Sequence, residues 1–323
     1  VRVRLTQIDG ALPNLALMKL GAWHQAQGDE VLYSRHVDRQ PDEPETDAQY
    51  GSSIFSFSAL RVARFKRAFP LALLGGTGAD PENRYTVEGI TGDEFDGYDY
   101  SGYPDFSESI GFSQRGCRLK CKFCVVPGKE GKPRSVSTIE GIWRGGRYPK
   151  KLHLLDNDFF GNPEWRERIE EIRAGNFRVC LSQGINVRLI NDEAAAALAT
   201  IQYRDTKFRR RQLYTAWDNL KDEKVFFRGM DTLERAGIPA KHIMAYMLIG
   251  YDPQETWDRL WYRFHRMVER GIKPYPMVYN RELRPDLRAF QRWVITGLYR
   301  ALPFTEYKSG LKSSESEFAY VMS

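Results

Sequence analysis

The chain has 323 residues, enough for one large domain or two ordinary ones, and 42% hydrophobic with 28% charged residues is the make-up of a globular protein. It contains no run of about 18 apolar residues, so no membrane-spanning helix and no membrane partner are expected. The net charge of +6 is uneven: residues 1–114 hold 10 Lys and Arg against 17 Asp and Glu, residues 115–151 hold 11 against 2, and the remaining 172 residues hold 27 against 23.

The N-terminal VRVRLTQI alternates as a strand does, LALMKLGAWHQAQG has helical periodicity closed by a glycine, and the stretch VRVRLTQIDGALPNLALMKL lacks the apolar run and cleavage site of a secretory signal. VLYSRHV and SSIFSFS read as further strands, ALRVARFKRAF as a short amphipathic helix and PLALLGGTG as a buried strand entering a turn. Between them PDEPETDAQ is an acidic loop. Such a β-α-β series predicts a small Rossmann-like parallel sheet, and residues 80–106, rich in Gly, Asp, Tyr and Pro, read as the linker that follows it.

Beyond residue 106, SIGFSQ, KLHLLD, FRVCLSQG, RQLYTAW, HIMAYMLIGY and PYPMVYN are strand-like. They alternate with the helical patterns EWRERIEEIRAG, NDEAAAALATI, KVFFRGMDTLERAG and ETWDRLWYRFHRMVERG. About six β/α units over 107–280 suit a partial (β/α)6 TIM-like barrel better than a doubly wound sheet. The expected organisation is therefore α/β: a Rossmann-like domain and linker over 1–106, the barrel over 107–280 and a helical extension over 281–323. That extension opens with the helix PDLRAFQRWVITGLYRAL and closes in a Ser/Glu-rich stretch.

Three of the four cysteines stand in RGCRLKCKFCV, spaced C-x3-C-x2-C at the end of the first barrel strand. Four cysteines, three of them clustered, are not a disulfide scaffold, which points to the reducing cytoplasm. Zinc usually takes two separated ligand pairs, and no second pair follows. Three thiolates fit a [4Fe–4S] cluster whose fourth iron is left open. Cys180, inside an apolar strand, reads as a core residue.

The motif Cys117, Cys121, Phe123 and Cys124 resembles that of the radical S-adenosylmethionine superfamily. The resemblance implies that the three thiolates hold a [4Fe–4S] cluster and that S-adenosylmethionine chelates the open iron. Reductive cleavage of that molecule to a 5′-deoxyadenosyl radical, which abstracts hydrogen from substrate, is then implied, as is an electron donor such as flavodoxin or ferredoxin. Matched to the family's pattern, Asp156, Asn157 and Asp158 in LLDNDFF are candidates for the methionine amino group, with a turn and helix cap as the plain alternative. Gln183 and Arg188 in SQGINVRL would meet the ribose and the carboxylate. Gly250 and Tyr251 would let the sixth strand approach adenine, and Trp217 and Asp218 in YTAWDN would face substrate; for both pairs packing or capping is the alternative. The N-terminal region resembles the cobalamin-binding domain that precedes the barrel in one subgroup. Its D-x-H-x-x-G loop is missing, and neither His24 nor His36 stands in that context, so the domain reads as a degenerate relative and cobalamin is not expected.

The basic stretch 115–151, with Lys129, Lys132 and Arg134 after the third cysteine, and the cluster Arg204, Lys207, Arg209, Arg210 and Arg211 favour a substrate bearing phosphate, a nucleotide or nucleic-acid base. A solvated basic face is the plain alternative. Competing assignments are a peptide or metabolite substrate, an iron–sulfur electron carrier, and a zinc-stabilised nucleic-acid-binding module.

Overall fold

A computed structural model describes residues 1–82, 84–92, 95–280 and 283–307. The Ser/Glu-rich end of the predicted extension lies outside the described residues. The chain is α/β with parallel sheets and divides into two compact units, Val1–Ser107 and Glu108–Ser323. No helix among the described residues is long and apolar enough to cross a membrane.

In the first unit β1 (Arg2–Gln7), α1 (Leu15–Ala26), β2 (Glu30–Ser34), β3 (Ala48–Ser52), α2 (Ala59–Ala68) and β4 (Leu73–Gly75) form a four-stranded parallel sheet of order β2-β1-β3-β4. The predicted alternation of β1 holds for Val3 and Leu5, but Arg4 and Thr6 on its other face are buried as well. Arg4 is tolerated there because Glu43, from the acidic loop, pairs with its guanidinium, while Ser34 Oγ and the His36 carbonyl accept from it at 3.0 and 2.9 Å.

Two expectations need correction. The third strand is AQYGS rather than SSIFSFS: beyond Ser53, whose amide still donates to the Gly75 carbonyl, the amides of Ile54 and Phe55 turn to the Asp9 carboxylate, joined there by the Ser53 hydroxyl. Residues 80–106 are not a bare linker either. They hold α3 (Val87–Thr91), capped by the Thr86 hydroxyl, whose Val87 and Ile90 pack on the core. Tyr103 is buried and donates to Gln7 Oε1 at 2.9 Å.

In the second unit, β5 (Ser109–Gly111) leads to the short antiparallel pair β6 (Gln114–Arg115) and β7 (Arg134–Ser135), which flanks α4 (Val126–Glu130). Next come α5 (Ile139–Ile142), β8 (Lys151–Leu154), α6 (Trp165–Ala174), β9 (Arg178–Cys180), α7 (Asp192–Ala199) and β10 (Gln202–Tyr203). The remainder is β11 (Leu213–Ala216), α8 (Glu223–Arg235), β12 (Ile243–Ile249), α9 (Trp257–Glu269), β13 (Lys273–Val278) and α10 (Pro285–Ile295). The main strands form two parallel sheets, of order β10-β9-β8-β5 and β11-β12-β13. Strand alternation sends Val179, Leu213, Ile243 and Ala245 into one large core. It sends Cys180, Tyr214 and Met244 to a second cluster with Phe208, and burial there pushes the Cys180 thiol up to about 12. Helix α10 stops short of the predicted Leu302, because Gly297 takes a left-handed φ of 79° just beyond it.

Candidate functional site

The cysteine loop starts where β5 ends and is pinned from the end of β8. Two residues past β8, Asp156 is fully buried and accepts the Ser113 and Gln114 amides at 2.7 and 3.1 Å, together with the Ser113 hydroxyl. Burial pushes its carboxyl up to about 6 despite those donors. Asp158, also buried, grips the loop between the first two cysteines, accepting Arg118 Nε and Nη2 at 2.7 and 2.8 Å and its amide at 3.1 Å. Glu130 closes the far side. It pairs with Arg115 at 3.0 Å and accepts the Gly116 amide at 2.9 Å and Asn157 Nδ2 at 3.0 Å. Gly116 has φ 87°, and a Cβ there would collide with the Lys132 carbonyl, so the loop closes only over a glycine.

On this loop Cys117 and Cys121 are half-buried and Cys124 is exposed. Burial first, then the neighbouring charges of Asp158 and the other two cysteines, raises the Cys117 thiol; burial, Cys121 and Asp218 raise Cys124. The three sulfurs thus lie within electrostatic reach of one another. They do not converge on a point: among the described residues no three His, Cys, Asp or Glu side chains are placed to hold a single metal ion. A cubane does not require convergence, since each ligated iron takes a different thiolate. Three thiols on one pinned glycine loop, with a cation beside them, suit the group that the motif implies. That cation is Arg188, whose Nη2 lies 3.7 Å from Cys121 Sγ while Nη1 donates to Asp222 at 2.9 Å.

The other predicted residues divide. Phe123 meets Tyr251 edge to face at 5.4 Å, so the cysteine loop and the end of β12 come together. Asp218 reaches the same region: its Oδ1 accepts the Leu248 amide at 2.9 Å, and burial raises its carboxyl against the opposing charges of Arg188 and Arg263. Asp156, Asn157 and Asp158 are brought to the site, with the hydrogen bonds given above directed at the cysteine loop. Gln183 is exposed on the turn after β9. Gly250 has φ 78°, and its amide donates to Glu255 at 2.7 Å. Trp217 takes the packing alternative: it is fully buried, stacks on Phe226 at 5.3 Å and donates to the Asn219 carbonyl. Lys129, Lys132 and Arg134 are exposed beside the loop. Arg209, Arg210 and Arg211 are elsewhere, ahead of β11 and so at the starts of the strands rather than at their ends.

No family model matches the chain, and no curated protein is similar to it at a significant level. Sequence reasoning missed Arg118, Glu130 and Asp222. Glu130 carried a signal, being one of two acids in the basic stretch 115–151. Arg118 carried a weaker one, a cation inside the cysteine spacing opposite an acidic DND segment. Asp222 carried none, because its partner Arg188 lies 34 residues away.

Proposed function

We propose that this protein is a radical S-adenosylmethionine enzyme. The observation that carries the reading is the cysteine loop itself, C-x3-C-x-F-C at the end of β5, closed by Asp156, Asp158 and Glu130 and flanked by Arg188. In this reading Cys117, Cys121 and Cys124 hold a [4Fe–4S] cluster, which when bound supplies the electron that cleaves S-adenosylmethionine to a 5′-deoxyadenosyl radical. Arg188 orients Cys121 and offers the positive charge that a methionine carboxylate needs. Phe123 and Tyr251 wall the site and limit water at it. Two neighbouring parallel sheets suit a partial (β/α)6 barrel, as does the Ile185 amide, which donates to the Tyr214 carbonyl of β11 at 2.7 Å.

A zinc module would want a second ligand pair, which the sequence does not offer, and three clustered thiols suit the cluster better. A degenerate cobalamin-type ancestry suits the first unit, and cobalamin is not expected there. Both ring nitrogens of His24 are engaged, Nδ1 with Asp29 at 2.7 Å and Nε2 with Tyr50 at 3.2 Å. The substrate class we favour carries phosphate, entering past Lys129, Lys132 and Arg134.

The test is anaerobic, reduced, cluster-loaded protein incubated with S-adenosylmethionine. Release of 5′-deoxyadenosine and methionine is expected, and Arg188→Ala should weaken binding by about 1–3 kcal/mol. Binding without any cleavage would leave an electron carrier or a catalytically dead relative.

A further inference from the structure

The cysteine site occupies the carboxyl ends of the second unit's strands, and a different set of cations gathers at their amino ends. Arg178 is the first residue of β9, Arg211 lies just ahead of β11, and Lys241 and His242 immediately precede β12. The two-residue β10 runs parallel to the start of β9, Gln202 opposite Arg178 and Tyr203 opposite Val179; Arg204 follows one step further along and stays within electrostatic reach of Arg178 and Arg211. Tyr203 ties the group together. It is hydrogen-bonded to His242 Nδ1 at 2.9 Å, and the Arg211 guanidinium lies 5.2 Å from its ring centre.

The loop carrying most of this charge is cross-linked by its own hydrogen bonds, and its one acid is engaged in them. Asp205 Oδ1 accepts the Arg209 amide at 2.8 Å, and the Asp205 amide donates to the Arg210 carbonyl at 2.9 Å. Phe208 takes a left-handed φ of 55°, rare for an aromatic residue, and is held there by burial beside Cys180, Tyr214 and Met244, with the His153 ring 4.9 Å away. Driving Phe208 inward turns Lys207, Arg209, Arg210 and Arg211 outward, all exposed. None of these cations, nor Arg178, Arg204 or Lys241, is in an ion pair among the described residues. Arg204 is held below the usual guanidinium range by burial and by the charges of Arg211 and Arg178, which outweigh that of Asp205.

We propose that this amino-end surface is a second binding site, which grips the phosphodiester backbone of a nucleic-acid strand away from the cysteine site. Five of its seven cations are arginines, whose forked donors match phosphate oxygens, and a pre-ordered loop loses little entropy when it binds. A lipid surface is disfavoured because the loop presents no exposed large apolar side chain to insert, its one aromatic being the buried Phe208. A protein partner would want an apolar anchor that the surface lacks. This assignment gives the substrate class of the proposed enzyme a physical handle, but it does not need the cluster chemistry to be right.

The experiment uses the whole chain as reconstituted anaerobically and a labelled single-stranded RNA of about 20 nucleotides, with the matching DNA and phosphatidylserine vesicles as alternative probes. Arg209→Ala/Arg210→Ala/Arg211→Ala changes only exposed side chains and should melt as the wild type does. It is expected to weaken strand binding at least tenfold at about 50 mM salt and to flatten the log Kd against log salt slope by about two, the share of three lost phosphate contacts. Wild-type binding that the triple variant leaves unchanged, binding abolished only by Lys129→Ala/Lys132→Ala/Arg134→Ala, binding of vesicles but not of strands, or no strand binding at all would each overturn it. Cleavage of S-adenosylmethionine is scored separately on loaded protein, so loss of the enzymatic reading leaves this result standing.

Discussion

Two carboxylates, one in each unit, have been taken out of water beside a parallel strand, and they answer burial in opposite ways. For Glu43 burial is outweighed by the Arg4 guanidinium and the Gln40 amide, and the carboxyl sits below its ordinary value. For Asp156 the direct donors are two amides and a hydroxyl, the Arg115 charge acts on it only as the least of the causes, burial wins, and the carboxyl rises to about 6. Neutral donors can fix the path of a loop without offsetting the cost of a buried charge, whereas a cation does both. The first unit spends its carboxylate on neutralising a core arginine. The second spends its own on holding the loop that carries the cysteines.

Removing the partner of a fully buried cation gives the largest effect. Glu43→Gln should cost the first unit about 3–5 kcal/mol in denaturant unfolding, while Arg4→Met with Glu43→Leu should recover most of it. A loss below about 1 kcal/mol for the single change would mean that water reaches Arg4.

Next comes pH, where the two carboxylates have opposite signs. Because the folded value of Glu43 is depressed, its contribution is present above the unfolded value and is lost as pH falls through the folded one. Because that of Asp156 is raised from 3.8 to about 6, its contribution is complete below the lower value and is lost as pH rises through the upper. The unfolding free energy of wild type relative to Asp156→Asn should therefore fall by about 2 kcal/mol between pH 4 and pH 7. A flat difference would put Asp156 in contact with solvent or a cation. The smallest effect is geometric: Arg118→Lys keeps the charge but loses the two-pronged grip on Asp158, and should cost about 1 kcal/mol of stability.

Much of this organisation was legible in the sequence because it is periodic. Alternation and helical spacing marked most strands and helices to within a few residues, and the cysteine spacing is local. What was hidden depends on partners distant in sequence. SSIFSFS has strand composition, yet Asp9, more than forty residues earlier, draws its amides out of the ladder. Residues 80–106 look like linker by composition, but a tyrosine hydroxyl reaching Gln7 makes them part of the first unit. Trp217 ends a strand among polar neighbours, and only the packing of α8 under it reveals a core residue. The arginines before β11 read, with the basic stretch after the cysteines, as charge for a phosphate-bearing substrate until strand direction placed them at the opposite ends of the strands.

The central claim is that the pinned loop holds one four-iron cluster on three thiolates. Iron and acid-labile sulfide counted on anaerobically reconstituted wild-type protein, beside Cys117→Ala, Cys121→Ala, Cys124→Ala and Cys180→Ala, test it most directly. The account predicts about four irons and about four sulfides per chain for wild type and for Cys180→Ala, and loss of both in each of the other three. Iron retained when Cys117, Cys121 and Cys124 are replaced together, or a single tightly held zinc and no sulfide in the wild type, would contradict it.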